Sequence, residues 1–204
     1  AAPVNLVTTR IDTTQRTVLR GQGVAWAAAA NDRGKVAASM PLVSLQLALK
    51  RSPERQAAFE ALLAQQQDPA SPNFRKWLTP TEVGARFGAT QADIDAISTW
   101  LIGQGLHVES ISNSRTSIRF GGSAADVGRA FGTELHWYAG RNAKNRMAPD
   151  GEPRIPAALS NAVAGVVGLS EVRFEPQFHV GKTRTGNIDG TRPAITSRSA
   201  ASVH

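Results

Sequence analysis

The side chains in this 204-residue sequence best able to move protons or bind metals are its four histidines, His107, His136, His179 and His204. None stands at ligand spacing from another, and the carboxylates are scattered rather than clustered. Cysteine is absent, which excludes disulfides, cysteine–zinc sites and a thiol nucleophile. There is no HExxH, no phosphate-binding P-loop and no GxSxG nucleophile elbow. Gly21-Gln22-Gly23 lacks the third glycine of a dinucleotide fingerprint. Phe120-Gly121-Gly122-Ser123 could present backbone amides to an anion, but it reads more simply as a tight strand-to-helix turn with a serine cap. The expectation is a chain with no catalytic residues and no metal site of its own.

The chemistry that remains is that of a surface, and the elements must place it. Val43, Leu45, Leu47 and Leu49 alternate with smaller or polar residues, the period of a half-buried strand. Ser52-Pro53 starts a helix carrying Phe59, Leu62, Leu63 and Gln66 at helical spacing. Thr79-Pro80-Thr81-Glu82 is a capping box for a short helix ending near Gly88. Thr90 caps a longer helix with Ile94, Ile97 and Leu101 on one face, stopped by Gly103 and Gly105. Strands are expected over 106–111, 116–120 and 134–138, with a helix capped by Ser123 between the second and third. The apolar run 162–169 has strand length, and 140–156 reads as a Pro/Asn/Gly-rich loop.

This order predicts an α+β fold: a ferredoxin-like antiparallel sheet with helices packed on one face, its fourth strand at 134–138. Strand alternation then puts His107, Glu109, Ile111, Arg119, Glu134, His136 and Tyr138 on the opposite, open face. Mixed polarity with a few apolar anchors suits a releasable docking surface. The proline-rich stretch DPASPNFRKWLTP, 68–80, cannot continue a helix or a central strand. Phe74 and Trp77 are expected to pin it to the core as structural anchors.

The net charge of +7 sits mostly outside the central body. Residues 1–35 hold five basic and two acidic side chains, residues 36–170 thirteen and eleven, and residues 171–204 five and three. A nucleic-acid surface concentrates Lys and Arg on one face, so neither a nucleic-acid nor a membrane partner is expected. No run of 18 apolar residues occurs. Residues 181–204 are rich in Gly, Ser, Thr and Arg and read as a flexible tail. The chain thus divides into an N-terminal arm (1–35), a body (36–170) and a tail (171–204).

The ordered motifs across the body resemble the activation prodomain of the sedolisin family, the serine-carboxyl peptidases that include kumamolisin. The resemblance rests on Asp68–Pro80, Phe87–Asp93, Ser114–Phe120, Ala130–His136 and Ile155–Leu169, taken in that order. It implies a subtilisin-propeptide-like sandwich that inhibits its cognate peptidase domain, assists its folding and is removed by acid-triggered autoprocessing. The family's Glu/Asp/Ser catalytic set and its calcium site belong to the peptidase domain, so no cofactor is expected here. The tail would lead to that domain, with Ala201, Ser202, Val203 and His204 in the non-primed subsites of its cleft. Protonation of His107 and His136, or of Glu109 and Glu134, would then loosen docking. The family further implies a secreted or periplasmic bacterial protein. Two other readings stay open: a free-standing secreted peptidase inhibitor or adaptor, and a ferredoxin-like RNA-binding module. The second is disfavoured because alternation turns Phe120 inward, away from a base-stacking face.

Overall fold

The computed structural model describes residues 4–140 and 144–170. Local capping chemistry sets its helices. Helix α1 (Pro53–Gln67) begins where the Ser52 hydroxyl accepts the Arg55 N–H, with proline in the first turn. Helix α2 (Pro80–Phe87) begins on the complete capping box: Thr79 Oγ1 accepts the Glu82 N–H, and Glu82 accepts the Thr79 N–H at 2.7 Å. Thr90 caps α3 (Gln91–Gly103) and Ser123 caps α4 (Ala124–Phe131) in the same way. Helix α4 ends at Gly132, whose φ of 56° is the left-handed conformation a C-cap needs.

Among the described residues nine strands, β1 (Arg16–Val18), β2 (Asp32–Lys35), β3 (Pro41–Leu49), β4 (His107–Ile111), β5 (Ser117–Ser123), β6 (Leu135–Ala139), β7 (Asn145–Pro149), β8 (Arg154–Pro156) and β9 (Val163–Val167), form three sheets. The largest has the order β4-β5-β3-β9 with every neighbour antiparallel. Taking its strands in chain order as first to fourth, the arrangement is 2-3-1-4, the ferredoxin-like pattern. Leu45, Leu47, Leu49, Ile118, Phe120 and Val163 pack from this sheet against Ile94, Ile97, Leu101, Val127 and Phe131 of α3 and α4. Phe131 is the hub, with its ring 5.7 Å from both Trp100 and Phe120.

The α+β class and the helix-backed sheet are as expected, but the fourth strand is not. Residues 134–138 do not join the main sheet: β6 pairs with β2 and β7 in a three-stranded sheet of its own, and β9 takes the edge beside β3. The reason lies in partners invisible to periodicity. Asp32–Lys35 is short and polar and Asn145–Pro149 is short and ends in proline, yet both give β6 a hydrogen-bonded neighbour. The stretch 140–156 therefore contains two strands, β7 and β8, where a loop was expected.

Alternation along β3 also breaks. A bulge between Leu42 and Leu45, with Ser44 at φ 58°, makes Leu42 the buried residue and leaves Val43 68% exposed. Trp77 is likewise exposed, at 67%, and does not anchor the 68–80 stretch; Phe74 is half-buried beneath the Arg75 guanidinium. The stretch is held instead by Gln66, a buried side chain at the end of α1. Its carbonyl accepts the Arg75 N–H at 3.0 Å, and its Nε2 donates to the Lys76 carbonyl.

Residues 4–35 are built into the fold rather than standing off it. Buried Asp93 in the first turn of α3 accepts the N–H groups of Leu6 and Val7. Arg16 donates to the carbonyls of Arg129 and Ala130 at the end of α4, and β1 pairs with β8. Gln22 Oε1 accepts the Val166 N–H at the outer edge of β9.

Candidate functional site

The face of the main sheet opposite α3 and α4 carries part of the expected docking surface. Across its centre runs the row Val167, Gln46, Arg119, Ser110, set by the β9–β3–β5–β4 register. Beside it His107 stands opposite Gly121, where any Cβ would meet the imidazole at 2.8 Å and the Leu42 carbonyl at 2.8 Å. Glycine is required there because the ring lies directly over the strand. Glu109 sits in a second irregularity, between Val108 and Ser110, and its Oε1 accepts the Ser44 N–H at 3.1 Å. The same oxygen lies 3.7 Å from His107 Nε2. Two bulges thus place a histidine, a carboxylate and a left-handed serine together, with exposed Val43 in the first bulge and exposed Val167 at the far end of the row. Of the expected residues, the structure brings together His107, Glu109 and Arg119; Ile111 pairs with Ile118, whose side chain faces the helices, because the irregularity at Glu109 reverses the alternation beyond it. Sequence reasoning missed Val43, Ser44 and Val167, because no pattern announces a bulge.

Glu134, His136 and Tyr138 do not share this face. They lie on or beside β6 in the three-stranded sheet, and Tyr138 is only 2% exposed, closed in by the edge of Trp26 and by the His136 ring. Burial raises the pKa of its phenol, with the negative charges of Asp32 and Asp150 adding to the rise. His136 Nδ1 is 2.8 Å from Asp32 Oδ2, while Asp32 Oδ1 accepts the Gly34 N–H at 2.7 Å. The Gly34 bond, and after it the His136 contact, holds the Asp32 carboxyl below its ordinary range. Glu134 is lowered chiefly by Lys35, whose ammonium sits in its carboxylate fork at 2.7 Å. Asp150, just past β7, accepts the Thr133 hydroxyl at 2.9 Å and the Glu134 N–H at 3.0 Å. Glu134, His136 and Asp150 each offer one ligand atom within 4.8 Å of the others, the one group of at least three such side chains among the described residues. The expected tail residues Ala201, Ser202, Val203 and His204 lie outside the described residues.

Fold and faces together define an α+β sandwich domain with one helix-covered and one open side to its main sheet. Comparison with known proteins specifies which sandwich. The chain belongs to the family described as "Pro-kumamolisin, activation domain", whose model matches residues 28–172. It is 31% identical over 136 residues to xanthomonalisin from Xanthomonas sp. (strain T-22), covering 66% of this chain and 16% of that protein. It is 29% identical over 104 residues to tripeptidyl-peptidase sed1 from Aspergillus fumigatus, covering 50% of this chain and 16% of that protein. The chain thus spans about a sixth of the length of these curated relatives. No helix among the described residues is long and apolar enough to cross a membrane.

Proposed function

We propose that this chain is the inhibitory prosegment of a secreted or periplasmic sedolisin-type serine-carboxyl peptidase. It docks on its cognate peptidase domain through the open face of the β4-β5-β3-β9 sheet. The observation that carries this reading is that face itself: Arg119, His107 and Glu109 with exposed Val43 and Val167 on a domain of the activation family. A polar centre with aliphatic anchors can leave water in the complex and return to it on release. Docking needs no cofactor in this segment, and calcium belongs to the family's peptidase domain. The tail, ending Ala201-Ser202-Val203-His204, would lie extended in the active-site cleft, its effective concentration raised by the docked body. Folding assistance follows from the same complex, since a partner that binds only the folded peptidase stabilises it by mass action.

Acid release is assigned to His107 and Glu109 alone, because His136 and Glu134 stand on the other sheet. A protonated His107 adds a desolvation cost at an interface, and a protonated Glu109 loses its hold on the Ser44 N–H. The test is inhibition of the mature peptidase by the purified chain across pH, with His107→Gln and Glu109→Gln. Tight inhibition at neutral pH that fades in acid, with the fade shifted in at least one variant, supports the reading. Absence of inhibition at every pH removes it.

A further inference from the structure

The geometry points to a divalent transition-metal site, of zinc type, formed by His136 Nε2, Glu134 and Asp150 and oriented by Asp32. It lies on the three-stranded sheet, goes beyond the docking reading and does not depend on it.

Asp32 fixes the tautomer of His136. A carboxylate can only accept, so the 2.8 Å contact between Asp32 Oδ2 and Nδ1 makes Nδ1 the protonated nitrogen. Asp32 is itself fixed by the Gly34 N–H. In the neutral ring, the lone pair is then on Nε2. That atom is shielded from solvent and has no hydrogen-bond partner. It faces carboxylates instead of donors: Glu134 Oε2 is 3.6 Å away, and an Asp150 oxygen completes the group within 4.8 Å. A buried acceptor aimed at two further acceptors is an unfavourable arrangement unless a cation joins them.

The spacing suits a metal ion. Zinc bonds of about 2.0–2.2 Å to nitrogen and oxygen put tetrahedral ligand atoms about 3.4 Å apart. The 3.6 Å separation between His136 and Glu134 is close to that, and the Asp150 ligand atom lies within 4.8 Å of the other two. A histidine whose second nitrogen is held by a carboxylate is the usual outer-shell arrangement of zinc histidines. One imidazole with two carboxylates favours zinc over calcium, which prefers oxygen-only surroundings. The cluster also has an approach: a groove of about 530 Å³ beside α4 is lined by Lys35, Glu134 and Asp150. Lys35, with its side chain 66% exposed and its ammonium in the Glu134 fork, is the competing cation that an incoming metal displaces.

That competition separates a metal site from an ordinary ion-pair cluster. Titration of the purified 204-residue chain with Co(II) and Zn(II), followed by calorimetry and by the visible Co(II) spectrum, should show one equivalent bound. His136→Gln and Glu134→Gln should each weaken binding at least tenfold, and Asp32→Asn by about 10–100-fold. Lys35→Gln should tighten it. Circular dichroism and thermal melts establish that each variant folds, and Glu134 is exposed enough that its variant tests the site even if His136→Gln does not fold. No stoichiometric binding overturns the inference. So does binding unaffected by Glu134→Gln, binding weakened by Lys35→Gln, or a site that takes Ca(II) in preference to Zn(II). The first of those results would mean that a proton, not a metal, joins His136 to its carboxylates.

Discussion

The Asp93 carboxylate accepts the backbone N–H of Val7 at 2.8 Å, joining residues 86 positions apart, and also takes the Leu6 N–H at 2.9 Å. Asp93 is 2% exposed, so these bonds form out of water, where charge-assisted hydrogen bonds are strongest. Asp93→Asn keeps the size but removes the charge and turns the oxygen beside the Leu6 N–H into a donor. The expected loss is about 2–3 kcal/mol in a urea melt, with early proteolysis of the N-terminal segment. An unchanged midpoint would mean that this latch adds nothing to stability.

Phe131 and Trp77 should respond in opposite ways. Phe131→Ala removes a fully buried ring from between Trp100 and Phe120 and should cost about 3–5 kcal/mol. Trp77→Ala removes a larger but exposed ring and should stay within about 0.5 kcal/mol. Chemical denaturation of both variants checks the pair. A large loss for Trp77 would restore it as an anchor of the 68–80 stretch.

Helix starts should make the domain sensitive to acid. Glu82 is held below its ordinary pKa first by the Thr79 N–H, and Asp126 first by the Ser123 hydroxyl. A carboxylate lowered in the folded state contributes stability above its unfolded pKa and loses it as pH falls through the folded one. Thr79→Ala and Ser123→Ala should each cost about 1 kcal/mol at neutral pH. Thr79→Ala keeps the Thr79 N–H, so Glu82→Gln together with Ser123→Ala should flatten the fall of Tm with pH below the ordinary carboxylate range. An unchanged acid slope would place the acid sensitivity elsewhere.

Gly84 on α2 lies so close to the Asn113 carbonyl that an added Cβ would clash with backbone, not with a movable side chain. Gly84→Ala should therefore destabilise by about 1–3 kcal/mol, although alanine is the better helix former. A stabilised variant would show that α2 packs more loosely against the turn after β4.

Most of the sandwich was legible because its signals are local. Thr79, Thr90 and Ser123 announce their helices, and Ile94, Ile97, Leu101, Val127 and Phe131 mark the buried faces. Strand partnership is not local. Glu134–Tyr138 reads as a good strand, but which sheet it joins depends on Asp32–Lys35 and Asn145–Pro149, whose short sequences carry no strand period. The error propagated to the site, moving Glu134, His136 and Tyr138 onto a face they do not share. Alternation also fails wherever a residue is inserted, so the bulges at Ser44 and Glu109 hid Val43 and gathered groups that no spacing rule would pair.

Hydrogen–deuterium exchange of the chain, free and bound to its cognate peptidase, tests the docking face most directly. New protection is expected in β3 around Val43–Gln46, in β4 over His107–Ile111 and in β5 around Arg119, with β6 and β7 unchanged. Protection confined to β6 and β7, or none anywhere in the main sheet, would contradict docking through the open face.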